Sequence, residues 1–160
     1  MGHHDTALIC MNGHVINERY NKSPELNTKF CKNCGAATIN SCIYCGASIL
    51  GKYEVPGIVV LSTISMSAPS YCHNCGKPYP WTEERLKAIR EAIGLSEISE
   101  QEKEEFNNNL PDIMSETPRT KIAALKIKTI GAKVSKEIWS VAREIIVDIA
   151  SETAKKIIGL

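Results

Sequence analysis

Eight residues in the first half of the chain have the types and the spacing of metal ligands. They form four close pairs along the sequence: Cys10 and His14, Cys31 and Cys34, Cys42 and Cys45, and Cys72 and Cys75. Structural zinc takes four protein ligands, and a Cys-x-x-Cys segment aims two sulfurs at one ion. The eight residues therefore predict two structural Zn²⁺ sites, because no coordination position is left for water or a substrate.

The order of the four pairs permits two groupings. In the sequential grouping, the first two pairs hold one ion and the last two pairs hold the other. In the crossed grouping, the first pair shares an ion with the third and the second with the fourth, as in a RING-like domain. We favour the sequential grouping because each interval between paired segments can then form its own hairpin. Both groupings remain open at the level of sequence.

Other uses of these cysteines fit the sequence less well. Seven cysteines are an odd number, so a set of disulfides would leave one of them unpaired. The presence of His14 disfavours iron–sulfur clusters held by cysteines alone. The first residues lack the basic and apolar pattern of a signal peptide, and no apolar run approaches the roughly 20 residues of a membrane span. We therefore expect free thiolates in a reducing, cytoplasmic location.

Short apolar runs around the ligand pairs predict small β-hairpins. The predicted strands are residues 7–9, 15–20, 49–53 and 58–61. Tyr79 and Trp81 are expected to pack this region against the next helix, and an exposed aromatic platform for nucleobases is the alternative. The predicted fold class is α+β, with a small N-terminal double zinc ribbon in residues 1–81 and an all-α region in residues 82–160.

Capping residues and apolar periodicity predict the helices of the C-terminal region. The predicted helices cover about residues 83–93, 100–107, 118–130 and 135–158. Thr82 is the expected N-cap of the first helix, and Ser99 with Glu102 forms a capping box for the second. The asparagines 107–109 and Pro111 indicate a loop after the second helix. Net charge is −6 over residues 83–118 and +5 afterwards, so the acidic segment could attract the basic one.

The last predicted helix carries a wide apolar stripe. Its members are Val134, Ile138, Trp139, Val141, Ala142, Ile145, Ile146, Ile149 and Ala150. Three destinations fit this stripe: the preceding helices, a second copy of the chain, or the surface of a membrane. A membrane surface fits least, because Glu144, Asp148 and Glu152 lie on the polar face of the helix.

Several segments of the chain are similar to those of one bacterial protein family. The matching segments are His4-Asp5-Thr6-Ala7, Ile9-Cys10, residues 12–17, 30–35, 42–45, 71–76, 79–82, 110–112, 117–120 and 151–156. With these residues the chain resembles a domain-of-unknown-function family, number twenty-three twenty-one of that series. The resemblance implies a soluble bacterial zinc-ribbon protein with a helical C-terminal region, and it implies no particular activity.

No catalytic pattern accompanies the predicted zinc sites. The sequence has no evident Ser/His/Asp set, paired catalytic carboxylates, P-loop or dinucleotide-binding glycines. We therefore expect a non-enzymatic adaptor, without a small-molecule substrate, that binds a protein partner and forms homo-oligomers through its C-terminal helices. A bacterial stress or phage-defence operon is a hypothetical setting for it.

Two alternative functions remain. One is a nucleic-acid-binding zinc ribbon, although the lysines at 22, 29, 32, 52 and 77 are scattered where phosphate binding needs a basic stripe. The other is a RING-like ligase or membrane-associating effector, which a crossed zinc grouping or binding to lipid vesicles would support.

Overall fold

The chain divides into two units, Met1–Glu83 and Glu84–Leu160, which we call the ribbon unit and the helical unit. The computed structural model describes residues 1–59, 61 and 64–160. Short antiparallel strands occupy the ribbon unit and helices follow, so the predicted α+β class is confirmed. The predicted domain boundary lay after residue 81, two residues before the division between the units.

Two small antiparallel sheets organise the ribbon unit. The strands are β1 (His3–Thr6), β2 (Leu8–Cys10), β3 (Val15–Asn17), β4 (Thr38–Ile39) and β5 (Leu50–Glu54), with a short 3-10 helix at Pro24–Leu26. The order is β3-β2-β4 in one sheet and β1-β5 in the other. For the strand predicted at 58–61, Ile58, Val59 and Leu61 lie outside any strand, and Val60 is not among the described residues.

The β1 strand is fixed by a buried carboxylate that the sequence analysis overlooked. Asp5 accepts hydrogen bonds from the backbone N–H groups of Thr6, Asn21 and Lys22 at 2.6, 3.1 and 3.0 Å, and from the Asn21 amide at 2.8 Å. Although burial opposes it, this set of donors holds the pKa of Asp5 below its ordinary value. The carboxylate therefore ties the N-terminal strand to the loop that follows β3.

A small apolar core lies under the two sheets. Its buried members are Ala7, Ile9, Cys42, Ile49, Cys72, Tyr79 and Trp81. The Tyr79 and Trp81 rings stack with their centroids 4.7 Å apart, and Trp81 Nε1 donates to the Pro69 carbonyl at 2.8 Å. Each ring is 1% exposed, so an exposed aromatic platform at these two residues is excluded.

Five α-helices follow: α1 (Pro80–Gly94), α2 (Glu100–Ile113), α3 (Thr120–Gly131), α4 (Lys136–Ile149) and α5 (Glu152–Ile158). The helical unit has a core of eighteen buried residues drawn from all five helices and their connections. The predicted capping box is confirmed, because Ser99 accepts from the Glu102 N–H and Glu102 accepts from the Ser99 N–H. No helix among the described residues has the length and apolarity to cross a membrane.

The start of α1 differs from the prediction. The helix begins at Pro80, so Thr82 lies inside it and is not its N-cap. The Thr82 hydroxyl instead donates to the Ser70 carbonyl at 2.8 Å. This bond ties the first turn of the helix to the segment that leads into the last ligand pair.

The loop predicted at residues 107–111 is wrong, because α2 continues to Ile113. Phe106, Leu110 and Ile113 occupy one face of the helix and are fully buried in the core. The Asn109 amide donates to the Glu105 carbonyl at 2.7 Å, which satisfies a polar group that would otherwise favour a turn. Pro111 sits in the last turn, where burial of its neighbours outweighs the missing N–H.

The single helix predicted at 135–158 is also wrong, because the chain breaks between α4 and α5. Ala150 has an extended backbone, and the Ser151 side chain caps α5 by accepting from the Ala154 N–H. The Ser151 N–H donates to the Ile113 carbonyl at 2.8 Å, so the break is held by a tertiary hydrogen bond. The third helix begins at Thr120, two residues later than predicted.

Most of the apolar stripe on α4 is buried within the helical unit itself. Val134, Ala142, Ile146, Ile149 and Ala150 belong to its core, and Ile138, Trp139 and Ile145 pack against that core. Val141 is the exception among the nine predicted members, with 54% of its surface exposed. Packing against the unit's own helices is therefore the principal destination of the stripe.

Candidate metal centres

The three Cys-x-x-Cys segments share one backbone conformation, which we call a knuckle. In each, the first cysteine N–H donates to the carbonyl five residues later, and the following glycine N–H donates back to the first cysteine carbonyl, all at 2.8–2.9 Å. The glycines have positive φ angles: Gly35 at +71°, Gly46 at +76° and Gly76 at +73°. Because other residues are strained at such angles, glycine lets the chain turn back after the second cysteine.

The fourth ligand pair uses a different turn. Cys10 ends β2 and His14 immediately precedes β3, so the pair closes a β-hairpin. The Cys10 N–H donates to the His14 carbonyl at 3.0 Å, and Gly13, with φ of 87°, donates to the Cys10 carbonyl at 2.8 Å. This hairpin brings the Cys10 sulfur and the His14 ring to the same side.

The eight predicted residues come together in two clusters. Site 1 contains Cys10, His14, Cys31 and Cys34, and site 2 contains Cys42, Cys45, Cys72 and Cys75. Within each site the four potential ligand atoms lie within 4.8 Å of one another. This is the sequential grouping, and the crossed grouping is not the one that the structure adopts.

The distances within both sites fit a tetrahedral zinc ion. Zinc–sulfur bonds of about 2.3 Å and zinc–nitrogen bonds of about 2.0–2.1 Å place two sulfurs about 3.8 Å apart, and a sulfur and a nitrogen about 3.6 Å apart. In site 1, Cys10 Sγ lies 3.7 Å from Cys34 Sγ and 3.4 Å from His14 Nδ1. The Cys31 Sγ–His14 Nδ1 distance is 3.6 Å. Site 1 can therefore hold a metal ion without rearrangement.

Site 2 has the same spacing with four sulfurs. Cys42 Sγ lies 3.8 Å from Cys75 Sγ, and Cys45 Sγ lies 3.7 Å from Cys72 Sγ. Both distances join sulfurs of different knuckles, so an ion there would link the two knuckles. An ion held by all four atoms has no vacant tetrahedral position.

Nearby N–H donors lower the pKa of one exposed sulfur in each site. The Ala36 N–H, helped by the Asn12 side chain, lowers the pKa of Cys34 to about 6. The Ala47 N–H and the Asn74 side chain lower the pKa of Cys45. Metal ligation requires the thiolate, so hydrogen bonds that favour the thiolate also favour metal binding.

Each site has a buried side and an exposed side. Cys10, Cys31, Cys42 and Cys72 are buried, whereas His14, Cys34, Cys45 and Cys75 are exposed. The first ligand of every pair is thus fixed by the interior of the ribbon unit, and the second ligand completes the site at the surface. Among the described residues, these two clusters are the only groups with metal-ligand geometry.

Histidines outside the clusters have other environments. His73 occupies an exposed position inside the last knuckle and belongs to neither cluster. His4 Nδ1 lies 2.8 Å from the Gly51 carbonyl oxygen, and its ring meets the Tyr53 ring edge-to-face at 5.1 Å between centroids. Both contacts hold β1 against β5.

Asn74 is a site residue that the sequence analysis did not single out. Its backbone N–H lies 3.4 Å from Cys72 Sγ, and its side-chain Nδ2 lies 3.6 Å from Cys45 Sγ. The only sequence signal for this role was its place between the two cysteines of a knuckle.

Comparison with known proteins identifies the family of the chain. A family model described as "Uncharacterized protein conserved in bacteria (DUF2321)" matches residues 3–158. The chain belongs to this family. The resemblance inferred from the sequence is therefore confirmed over nearly the whole chain. No curated protein and no solved structure matches the chain.

Proposed function

We propose that both clusters bind zinc, that both ions are structural, and that the chain is a non-enzymatic adaptor for protein partners. The observation that carries the proposal is the closure of both sites by four protein atoms at tetrahedral spacing. Catalytic zinc keeps a position for water or substrate, and these sites offer none once four ligands bind. None of the seven cysteines forms a disulfide, which suits a reducing, cytoplasmic location.

Metal analysis combined with X-ray absorption tests the zinc assignment. The full chain purified with zinc is expected to hold two ions per chain, with seven sulfur ligands and one nitrogen ligand in total for the two ions. More than one nitrogen or oxygen ligand in total for the two ions would indicate an open coordination position and would contradict a purely structural role. Substoichiometric zinc after reconstitution would contradict the assignment of one of the two sites.

The surface that supports partner binding is the tip of the second knuckle, formed by Ile43 and Tyr44. These side chains are 54% and 47% exposed although both are large and apolar. The Tyr44 hydroxyl donates to Glu83 at 3.0 Å, and the Lys77 ammonium lies 4.5 Å from the Tyr44 ring centroid. Tyr44 is thus held in one orientation, which lowers the entropy lost when a partner binds.

Crosslinking in cells with a tagged chain tests this surface. Ile43→Asp is expected to lose the proteins that the wild-type chain captures, because it places a charge in the apolar tip. Leu26→Asp is the matched control, since Leu26 is also apolar, 56% exposed and within the ribbon unit. Equal capture by both variants would contradict a binding role for the Ile43–Tyr44 tip.

We also propose that the helical unit self-associates, through apolar side chains that its own core leaves exposed. Ile122 and Leu125 lie one turn apart on α3 and are 56% and 57% exposed, and Val141 on α4 is 54% exposed. Truncating the C-terminal helices would open the core of the unit, so point substitutions make the sharper test.

Size-exclusion chromatography with light scattering measures the mass of the eluting species and therefore tests self-association. The wild-type chain is expected to elute with a mass above the 17.6 kDa of one chain, and Leu125→Glu is expected to reduce it. Lys128→Glu controls for added negative charge at an exposed position of the same helix. A wild-type mass of one chain would contradict self-association.

The alternatives receive less support from the site. Two of the five lysines considered for phosphate binding are engaged in ion pairs: Lys22 with Glu54 at 2.7 Å and Lys52 with Glu18 at 3.2 Å. A RING-like ligase would be supported by the crossed zinc grouping, whereas the ligands are grouped sequentially. A stress or phage-defence setting remains a hypothesis that neighbouring genes would test.

A further inference from the structure

Asn74 contacts sulfurs on both halves of site 2. Its backbone N–H points to Cys72 Sγ of its own knuckle at 3.4 Å, and its amide Nδ2 points to Cys45 Sγ of the facing knuckle at 3.6 Å. Both distances fall within the longer range of hydrogen bonds to sulfur. One side chain therefore connects the two knuckles that together form the site.

Asn12 occupies the corresponding place in site 1. It lies two residues after Cys10, as Asn74 lies two residues after Cys72. The Asn12 side chain helps to lower the pKa of Cys34 in the facing knuckle, but the hydrogen bonds of the described residues include none from Asn12 to a sulfur. The two sites thus share the position of an asparagine in one ligand pair, and Asn74 is the one that hydrogen-bonds to the buried sulfur of its own segment and to the exposed sulfur opposite.

Cys45 is the sulfur for which such a bond matters most. It is exposed, so water, protons and electrophiles can reach it. Site 2 has four thiolates where site 1 has three and a neutral histidine, so a dication there leaves one more negative charge to be stabilised. Hydrogen-bond donors around ligating atoms orient them and spread this charge.

We propose that Asn74 is the positioning residue of site 2, which holds the exposed Cys45 sulfur on the metal and slows its release. This inference rests on the proposed zinc binding and adds a specific residue that controls how readily one ion is lost.

The matched control is Asn33, which lies two residues after Cys31 in the first knuckle. It is exposed like Asn74, and the hydrogen bonds of the described residues include none from its side chain to a sulfur. Substitution of Asn33 therefore removes an asparagine from a knuckle but removes no side-chain hydrogen bond to sulfur.

The test measures alkylation of individual cysteines in the full, zinc-loaded chain during challenge with a metal chelator. Peptide mapping after N-ethylmaleimide treatment reads Cys45 and Cys34 separately. Asn74→Ala and the isosteric Asn74→Asp are both expected to speed alkylation of Cys45 by about 10–100-fold, the usual effect of losing an outer-shell partner. Cys34 is expected to keep its wild-type rate, and Asn33→Ala is expected to change neither cysteine.

Cobalt substitution supplies a readout that a purely structural role would not move. In the folded, cobalt-loaded chain, Asn74→Asp is expected to shift the sulfur-to-cobalt charge-transfer band, and Asn33→Ala is expected to leave it in place. Wild-type alkylation of Cys45 in Asn74→Asp, or equal acceleration by Asn33→Ala, would overturn the inference. A wild-type chain that binds no zinc would instead overturn the proposed function beneath it.

Discussion

Removal of metal from both sites is expected to unfold the ribbon unit and to leave the helical unit folded. The ribbon unit has seven buried core residues, and two of them, Cys42 and Cys72, are ligands in site 2. The helical unit has eighteen buried core residues and no cluster ligand. Structural zinc contributes on the order of 10–16 kcal/mol per site in small domains, a contribution that this small core cannot replace.

The size of the spectroscopic change follows from where the helices lie. Of the 62 residues in α-helices, only Pro80–Glu83 belong to the ribbon unit. Loss of these four residues would reduce the helical ellipticity at 222 nm by only about 6%. Trp81, which is 1% exposed, is expected to become fully solvated and to shift its emission to the red.

The assay uses a Trp139→Phe background, because the chain has two tryptophans and Trp139 lies in the helical unit. EDTA is added to the zinc-loaded chain, and emission and ellipticity are followed on the same sample. Re-addition of zinc should restore the buried emission of Trp81. A large loss of ellipticity would refute the independence of the helical unit, and unchanged Trp81 emission in the metal-free chain would refute the need for metal.

Two further predictions concern the helical unit. Gly131→Ala would place a Cβ 2.5 Å from the Trp139 ring, so urea unfolding should show a loss of about 1–3 kcal/mol, whereas Gly94→Ala, which meets open space within a helix, should be neutral or stabilising. The Lys133 side chain lowers the pKa of Glu102 from its ordinary value, so this carboxylate contributes stability above the ordinary pKa and loses it as pH falls through the lowered pKa. Acid titration of the 222-nm signal should therefore show a smaller decline in Glu102→Gln than in the wild type, and parallel curves would contradict this contribution.

The cluster residues could be predicted from sequence because their signal is local. A knuckle needs two cysteines three positions apart and a glycine after the second, and all of this fits within five residues. The grouping of knuckles depends instead on strand pairing, such as Ile9 with Ile39 between β2 and β4. Such contacts leave no trace in the spacing of the cysteines, so the sequence favoured one grouping and left the other open.

The errors in the helical region have a common cause. Asparagine and proline predicted a loop at 107–111, but burial of Phe106 and Leu110 outweighed these local preferences. The apolar periodicity through residues 135–158 concealed the break at Ser151, although this serine is a good N-cap. In both cases the local preferences of a few residues had to be weighed against the free energy of burying apolar side chains in the core. That free energy depends on contacts between distant residues, which a single sequence does not reveal.

The three knuckles share the backbone that places the metal ligands and differ in the two residues between the cysteines. Their backbones and glycines repeat, while the residues between the cysteines differ: Lys32 and Asn33, Ile43 and Tyr44, and His73 and Asn74. The second knuckle alone presents two large apolar side chains, and the third presents the asparagine that bonds to the opposite sulfur. Since the repeated backbone suffices to place the sulfurs, these variable pairs are where partner binding and metal retention can differ. Exchanging Ile43-Tyr44 with Lys32-Asn33 should therefore transfer partner binding to the first knuckle and leave the zinc content unchanged. A loss of zinc in the exchanged chain would show that these residue pairs are also needed for folding.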